Sequence, residues 1–302
     1  MADVTSGVPQ GSILGPSLFV TTIGSYSCNS TTSHIIKYAD DTTLCLPLFR
    51  DKIEESLQKV YEEHEKIMDW SIRIGLPINA SKSKCLIIKK SNNCPQPNIP
   101  QIPVVESLRV LGVIFNSKWN FNDHINKTVA TASRRLYALR VLRPSLPKAK
   151  MVLVYNCLVR SCLEYCAPLF LGLSETNKWK LESLQKRFHR IICGSDCKNP
   201  CLTLLHARRR LLALKFIEKI ISTDHHVLHH LLPHRLASGR FRLPPRRTTR
   251  RSRSFVPLAC EQFNQSELIY QVWSVCQKRG KSKSDFDTNY SYYFSREVGL
   301  DD

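Results

Sequence analysis

Two adjacent carboxylates, Asp40 and Asp41, follow Tyr38-Ala39 and stand between apolar runs. Residues 35–39 have the character of a strand and residues 42–46 of another, which places the aspartates at the tip of a tight hairpin. Two anions side by side repel, so keeping both ionised needs a compensating charge. A hard divalent cation supplies it, since it takes carboxylate oxygens and bridges to substrate phosphates. Taken alone, the tetrapeptide favours a solvated Asp-Asp turn, which is common; the upstream block shifts the balance. Upstream stands Gly7-Val8-Pro9-Gln10-Gly11-Ser12, whose glycines and proline let backbone approach a bound nucleotide while Gln10 donates and accepts at a base or sugar edge. The same block also suits a plain turn opening the apolar segment 13–23.

Two further blocks carry candidate chemistry. Lys82 lies in Asn79-Ala80-Ser81-Lys82-Ser83-Lys84, just before the apolar strand Cys85-Leu86-Ile87-Ile88. There a cation could meet a triphosphate and protonate leaving pyrophosphate, or remain a solvated turn lysine. Gly112 interrupts Val110-Leu111-Gly112-Val113, which implies a bulge or a close backbone approach.

In this order and at this spacing, the blocks resemble reverse transcriptases of non-LTR (LINE-type, jockey-like) retrotransposons. The Gln10 block, continuing through Phe19, is similar to the substrate-pocket segment, with Gly7, Pro9, Gln10, Gly11 and Ser12 as the implied nucleotide contacts. Tyr38-Ala39-Asp40-Asp41 resembles the metal-binding hairpin of the palm, with Asp40 reaching both metals and Asp41 more peripheral. The Lys82 block resembles the next palm motif, and Leu111-Gly112 the primer-grip hairpin. The likeness continues more loosely through thumb-like helices to about Gly194 and then fades. It implies RNA-directed DNA synthesis by two-metal nucleotidyl transfer, with Mg2+ or Mn2+, an RNA template, a DNA primer and deoxynucleotide triphosphates.

In that family an aspartate on an earlier palm strand completes the metal site, and Met1 stands too close to Gly7 for such a strand. Asp3 is too near the Gln10 block to replace it. Two-metal transfer uses ions roughly 4 Å apart held by carboxylates from separate strands. Losing a shared ligand removes several kcal/mol of transition-state stabilisation, at about 1.4 kcal/mol per tenfold in rate. The expectation is an N-terminally truncated, inactive polymerase fragment with weak residual metal binding. A missing neighbour strand also predicts an open, apolar edge at Ile35-Ile36 and Leu44-Cys45-Leu46.

Composition favours a polyanionic partner. Net charge is +19 and pI near 9.6, and residues 208–253 hold thirteen Lys or Arg against Glu218 and Asp224 alone. Arg134, Arg135, Arg246, Arg247, Arg250 and Arg251 are the candidate nucleic-acid contacts; an unstructured basic tail with no partner is the competing reading. The Arg-rich run also looks like a nuclear-localisation signal. A non-catalytic, basic nucleic-acid-binding protein is therefore the alternative function. No signal-peptide pattern and no apolar span are visible, which predicts an intracellular chain, nuclear or cytoplasmic, without membrane contact or disulfides among its twelve cysteines. Cys193, Cys197, Cys201 and His206 are loosely spaced like a zinc cluster but match no compact finger. His225, His226, His229, His230 and His234 include helical i,i+4 pairs, though solvated histidines explain them too.

The predicted fold class is α+β: an incomplete polymerase palm, an antiparallel sheet with covering helices (1–121), then a helical thumb-like domain (122–200). A basic helical segment and flexible linker (201–254) and an unassigned segment (255–302) follow. A helix over 51–74 should bury Ile53, Leu57, Val60 and Ile67 and expose Glu54, Glu55, Glu62 and Glu63. From residue 122, Ile125, Val129, Ala132, Leu136 and Leu139 recur at helical spacing; residues 148–165 form a second helix. Trp179, Leu184, Phe188 and Ile191 mark the core face of a third, and residues 202–221 a fourth.

Overall fold

The computed structural model describes residues 11–28, 32–88, 97–194, 202–223, 225–243, 245 and 248–278. The chain divides into two compact units, residues 1–108 with 116–118, and residues 109–115 with 119–302.

The first unit opens with helix α1 (Gly15–Gly24), started by Pro16 and by Ser12, whose Oγ accepts from the Gly15 N–H at 2.9 Å. Strands β1 (His34–Tyr38) and β2 (Asp41–Cys45) pair antiparallel in the register Tyr38↔Asp41, Ile36↔Thr43, His34↔Cys45. A 3-10 turn (Arg50–Lys52) leads into α2 (Ile53–Arg73), close to the predicted 51–74. Ile67 is buried as expected, but Glu63 is only 5% exposed, against the sequence reading. Position 63 lies three residues beyond Val60 and four before Ile67, so it shares their stripe. Its carboxylate meets Lys66 at 3.1 Å and helps raise the Tyr26 and Cys28 pKa values.

Strands β3 (Cys85–Leu86) and β4 (Val104–Val105) pair in parallel. The expectation of one antiparallel sheet is thereby corrected: the described strands form three separate two-stranded sheets. The third pairs β5 (Ser107–Val110) with β6 (Val113–Asn116). Of the residues expected at an open edge on the first hairpin, Ile36 and Cys45 are exposed, whereas Ile35, Leu44 and Leu46 are half-buried.

The second unit is helical. Its elements are α3 (Asn122–Leu142), α4 (Lys148–Tyr155), α5 (Ser161–Glu164), α6 (Glu175–Cys193), α7 (Leu205–Ser222), α8 (Thr249–Ser252) and α9 (Phe255–Lys278). The predicted single helix over 148–165 is interrupted by a π-turn (Asn156–Arg160). Wider winding tilts a carbonyl away from its ladder; that of Leu158 accepts from Arg135 Nη1 at 2.6 Å. The main core joins Ile125, Ala132, Leu136 and Leu139 of α3 to Leu181, Leu184 and Phe188 of α6, with Tyr155 stacked on Phe188 at 3.8 Å. Helices α3 and α6 run side by side in the same direction, as three polar rungs at nearly constant offset show: Asn177–Asn122 (2.8 Å), Lys180–Asn126 (2.7 Å) and Arg187–Ser133 (3.5 Å). Trp179 does not belong to this core; it is 67% exposed.

A charged cluster ties α7 to its neighbours. Arg208 grips Glu164 through Nε and through Nη2 at 2.9 Å, and Glu182 accepts from the His206 N–H at 2.8 Å. Arg209 is 2% exposed; burial lowers its pKa against the pull of Glu182 and Glu164. A second core packs Ala213 and Ile217 of α7 on Ala259, Cys260 and Phe263 of α9. Residues 255–266 are thus part of the helical unit, a packing the sequence did not show. The stretch around Arg253 is seated rather than loose: a Cβ on Gly172 would collide with the Arg253 carbonyl.

Candidate functional site

Ala39 and Asp40 form the two-residue turn of the first hairpin, with Ala39 at φ 50°, and Asp41 opens β2 opposite Tyr38. The aspartates therefore sit at the hairpin tip as predicted. Both are exposed, and neither carboxylate has a protein hydrogen bond or ion pair among the described residues. Two uncommitted carboxylates suit a small hard cation, which takes one or two such groups and completes its shell with water or phosphate oxygens. Among the described residues no cluster of three or more His, Cys, Asp or Glu forms a closed metal cage.

The hairpin is fastened through Lys37, one residue before Tyr38. Its Nζ donates to the Ile23 and Tyr26 carbonyls, both at 2.5 Å, and lies 5.6 Å and 5.5 Å from the Tyr26 and Trp70 ring centroids. Burial lowers the Lys37 pKa. The adjoining Tyr26 hydroxyl is pushed up to about 12 by burial, then by Glu63 and Cys28. Sequence inspection missed this anchor; a lysine alternating with apolar strand residues was its only signal.

Gly11 and Ser12 lie at the start of α1, whereas Lys37 holds the opposite end of that ten-residue helix, about 15 Å away along its axis. Gly7, Pro9 and Gln10 fall outside the described residues. Lys82 is exposed on a turn made by Asn79, whose carbonyl accepts from the Lys82 and Ser83 N–H groups at 3.2 Å. No described hydrogen bond or ion pair joins Lys82 to Asp40 or Asp41.

Leu111 and Gly112 make the tip of the β5–β6 hairpin, at φ 45° and 87°. The Tyr165 hydroxyl donates to the Leu111 carbonyl at 2.5 Å, and a Cβ on Gly112 would stand 3.2 Å from Tyr165 Cε1. Of the two options open in the sequence, close approach is the one realised, in a turn. Nearby, His124 stacks on Phe170 with centroids 4.9 Å apart, and its Nδ1 accepts from the Ile114 N–H at 3.4 Å. Burial, then Lys127 and Arg109, lower the His124 pKa.

Among the candidate nucleic-acid contacts, Arg134 is exposed on α3, while Arg135 is committed to the Leu158 carbonyl. Arg250 and Arg251 belong to α8, and Arg246 and Arg247 fall outside the described residues. Cys197 and Cys201 also lie outside them, and His206 Nδ1 is 3.3 Å from Glu182. The 229–231 stretch is a 3-10 turn rather than an α-helix, which goes with the solvated-histidine reading of this cluster.

Residues 3–115 match the family model described as "Reverse transcriptase (RNA-dependent DNA polymerase)". The chain is 26% identical over 212 residues to the RNA-directed DNA polymerase from mobile element jockey of Drosophila funebris, covering 64% of this chain and 22% of that one. It is 24% identical over 265 residues to the probable RNA-directed DNA polymerase from transposon X-element of Drosophila melanogaster, covering 82% and 28%. The Pol polyprotein from type-1 retrotransposable element R1 of Bradysia coprophila is 25% identical over 226 residues, covering 70% and 21%. The matched stretch thus spans between about a fifth and three-tenths of these relatives. No solved structure matches the chain significantly. No helix among the described residues is long and apolar enough to cross a membrane.

Proposed function

We propose that the chain is a portion of an RNA-directed DNA polymerase, with residues 1–121 as palm and 122–200 as thumb. It would contribute the nucleotide segment Gly7–Ser12 and the metal hairpin of Asp40 and Asp41, and act on an RNA template, a DNA primer and deoxynucleotide triphosphates inside the cell. The observation that carries this reading is the exposed, uncommitted Asp40-Asp41 pair within the matched stretch 3–115. Asp40 and Asp41 would hold Mg2+ or Mn2+, and the metal, when bound, neutralises charge on the transferring phosphate. Lys82 would offer a cation and a proton to departing pyrophosphate; Leu111 and Gly112 would support the primer end.

Both carboxylates come from one hairpin, whereas two-metal transfer draws on carboxylates of separate strands. We therefore expect these 302 residues alone to show no template-dependent synthesis on an oligo(dT)-primed poly(rA) template with Mg2+ or Mn2+. Synthesis that vanishes on Asp40→Asn would overturn that expectation and show a complete site. The second reading, a non-catalytic nucleic-acid binder, rests on the net charge of +19 and on exposed Arg134. It predicts tight, salt-sensitive RNA binding that Asp40→Asn and Asp41→Asn leave unchanged.

A further inference from the structure

Helices α3 and α6 present one continuous outer face. On α6, helical spacing puts Trp179, Lys186, Arg187 and Arg190 on one side, opposite buried Leu181, Leu184 and Phe188. On α3 the same arithmetic brings Arg134 and Tyr137 outward, opposite Ala132, Leu136 and Leu139. The rungs Lys180–Asn126 and Arg187–Ser133 fix the two faces beside each other. The acids of these helices gather at the N-terminal end of the face, where Glu175 is paired with Lys178 at 2.7 Å. Asp123 and Glu175 lie in the first turns, and Glu182 is committed to His206.

Two aromatic side chains are conspicuous on this face: Trp179 is 67% exposed and Tyr137 69%. Neither appears among the ring contacts of the described residues, although most of the unit's other large aromatics are packed. A solvated indole, on the same helix face as Lys186 and Arg190 further along, costs apolar exposure and contributes nothing to the core. Cations that track a phosphate backbone, interleaved with aromatic planes on which bases stack, are the chemistry of unpaired nucleic acid. A closed duplex would offer this face only its phosphates, since its bases are already stacked on one another.

We propose that the α3–α6 face is a binding track for single-stranded RNA or DNA, with Trp179 and Tyr137 as stacking platforms and Arg134, Lys186, Arg187 and Arg190 as phosphate contacts. The site deepens the nucleic-acid-binding reading and does not use the Asp40 hairpin. From residue 179 to residue 190 the track runs about 16 Å along α6, room for a few extended nucleotides.

The test titrates the full chain into labelled oligo(dT), oligo(rU) and a blunt duplex of matched length, at several salt concentrations. Trp179→Ala should weaken binding of both single strands about tenfold, as loss of one stacked base does, and leave duplex binding within about twofold. Trp179→Phe should restore most of the single-strand affinity. Replacing Lys186 and Arg190 together by Ala should reduce the slope of log K against log salt by about 1.4 for single strands. Because these side chains lie outside the core, circular dichroism should be unchanged. The track is read by binding alone, so an absence of template-dependent synthesis, which would sink the polymerase reading, would not disturb this result. Parent-like oligo(dT) binding by Trp179→Ala, equal losses on strand and duplex, or no single-strand binding by the parent would each overturn the proposal.

Discussion

Replacing Gly112 by Ala tests the best-defined contact near the candidate primer-holding hairpin. Gly112 sits at φ 87°, where a Cβ costs about 1–2 kcal/mol, and that Cβ would also stand 3.2 Å from Tyr165 Cε1. The ring cannot simply swing aside, because its hydroxyl is hydrogen-bonded to the Leu111 carbonyl at 2.5 Å. Giving up that bond costs about 0.5–1.5 kcal/mol more. Gly112→Ala should therefore destabilise the helical unit by about 2 kcal/mol, or roughly 4–8 °C in Tm for a unit of this size. Urea denaturation followed by circular dichroism measures the loss. In a Tyr165→Ala background only the backbone part should remain, giving a coupling of about 0.5–1 kcal/mol. Tyr165→Phe should separate the hydroxyl from the ring, losing about 1 kcal/mol. A neutral Gly112→Ala, or the same cost with and without the Tyr165 ring, would refute the reasoning.

Lowering the pH should weaken the helical unit through His124. Its folded pKa lies below the usual value near 6.5, so the unfolded chain binds the proton first; stability is intact above about pH 6.5 and is lost as pH falls through the folded pKa. Thermal melts across that range should show the slope, and His124→Gln should flatten it. Lys37→Met, which removes both carbonyl contacts and the charge between the rings, should speed amide exchange at residues 38–43 and leave α3 and α6 unchanged, while Lys37→Arg protects partially. Exchange mapped by mass spectrometry would dismiss the anchor if Lys37→Met matched the parent. Arg134→Ala should weaken RNA binding in filter assays without loss of stability, whereas Arg135→Ala should lower stability by about 1 kcal/mol by freeing the Leu158 carbonyl.

Much of the candidate site was legible because its signals are local. A hairpin tip with two aspartates, a glycine where another group approaches the backbone closely, and the apolar stripe of α3 all follow from short-range spacing. The misreadings came from elsewhere. Glu63 was placed outside by its charge, although its spacing from Val60 and Ile67 puts it on the buried stripe. Trp179 was placed inside by its hydrophobicity, although five helical residues separate it from Leu184, which turns it well over 90° away. The π-turn at Asn156–Arg160 contains no Pro or Gly to announce it. The parallel pairing of Cys85 with Val104 joins segments too far apart in sequence, and too short, for any periodicity to reveal. Residues 255–266 gain their place only from the partner surface on α7, which no local pattern encodes.

The central claim is that the Asp40 hairpin is a metal-binding element of polymerase ancestry, and Mn2+ titration of the full chain tests it most directly. Calorimetry or electron paramagnetic resonance should detect weak binding that Asp40→Asn largely removes and Asp41→Asn reduces less. Mn2+ binding unaffected by either substitution, or a larger loss from Asp41→Asn than from Asp40→Asn, would contradict the account.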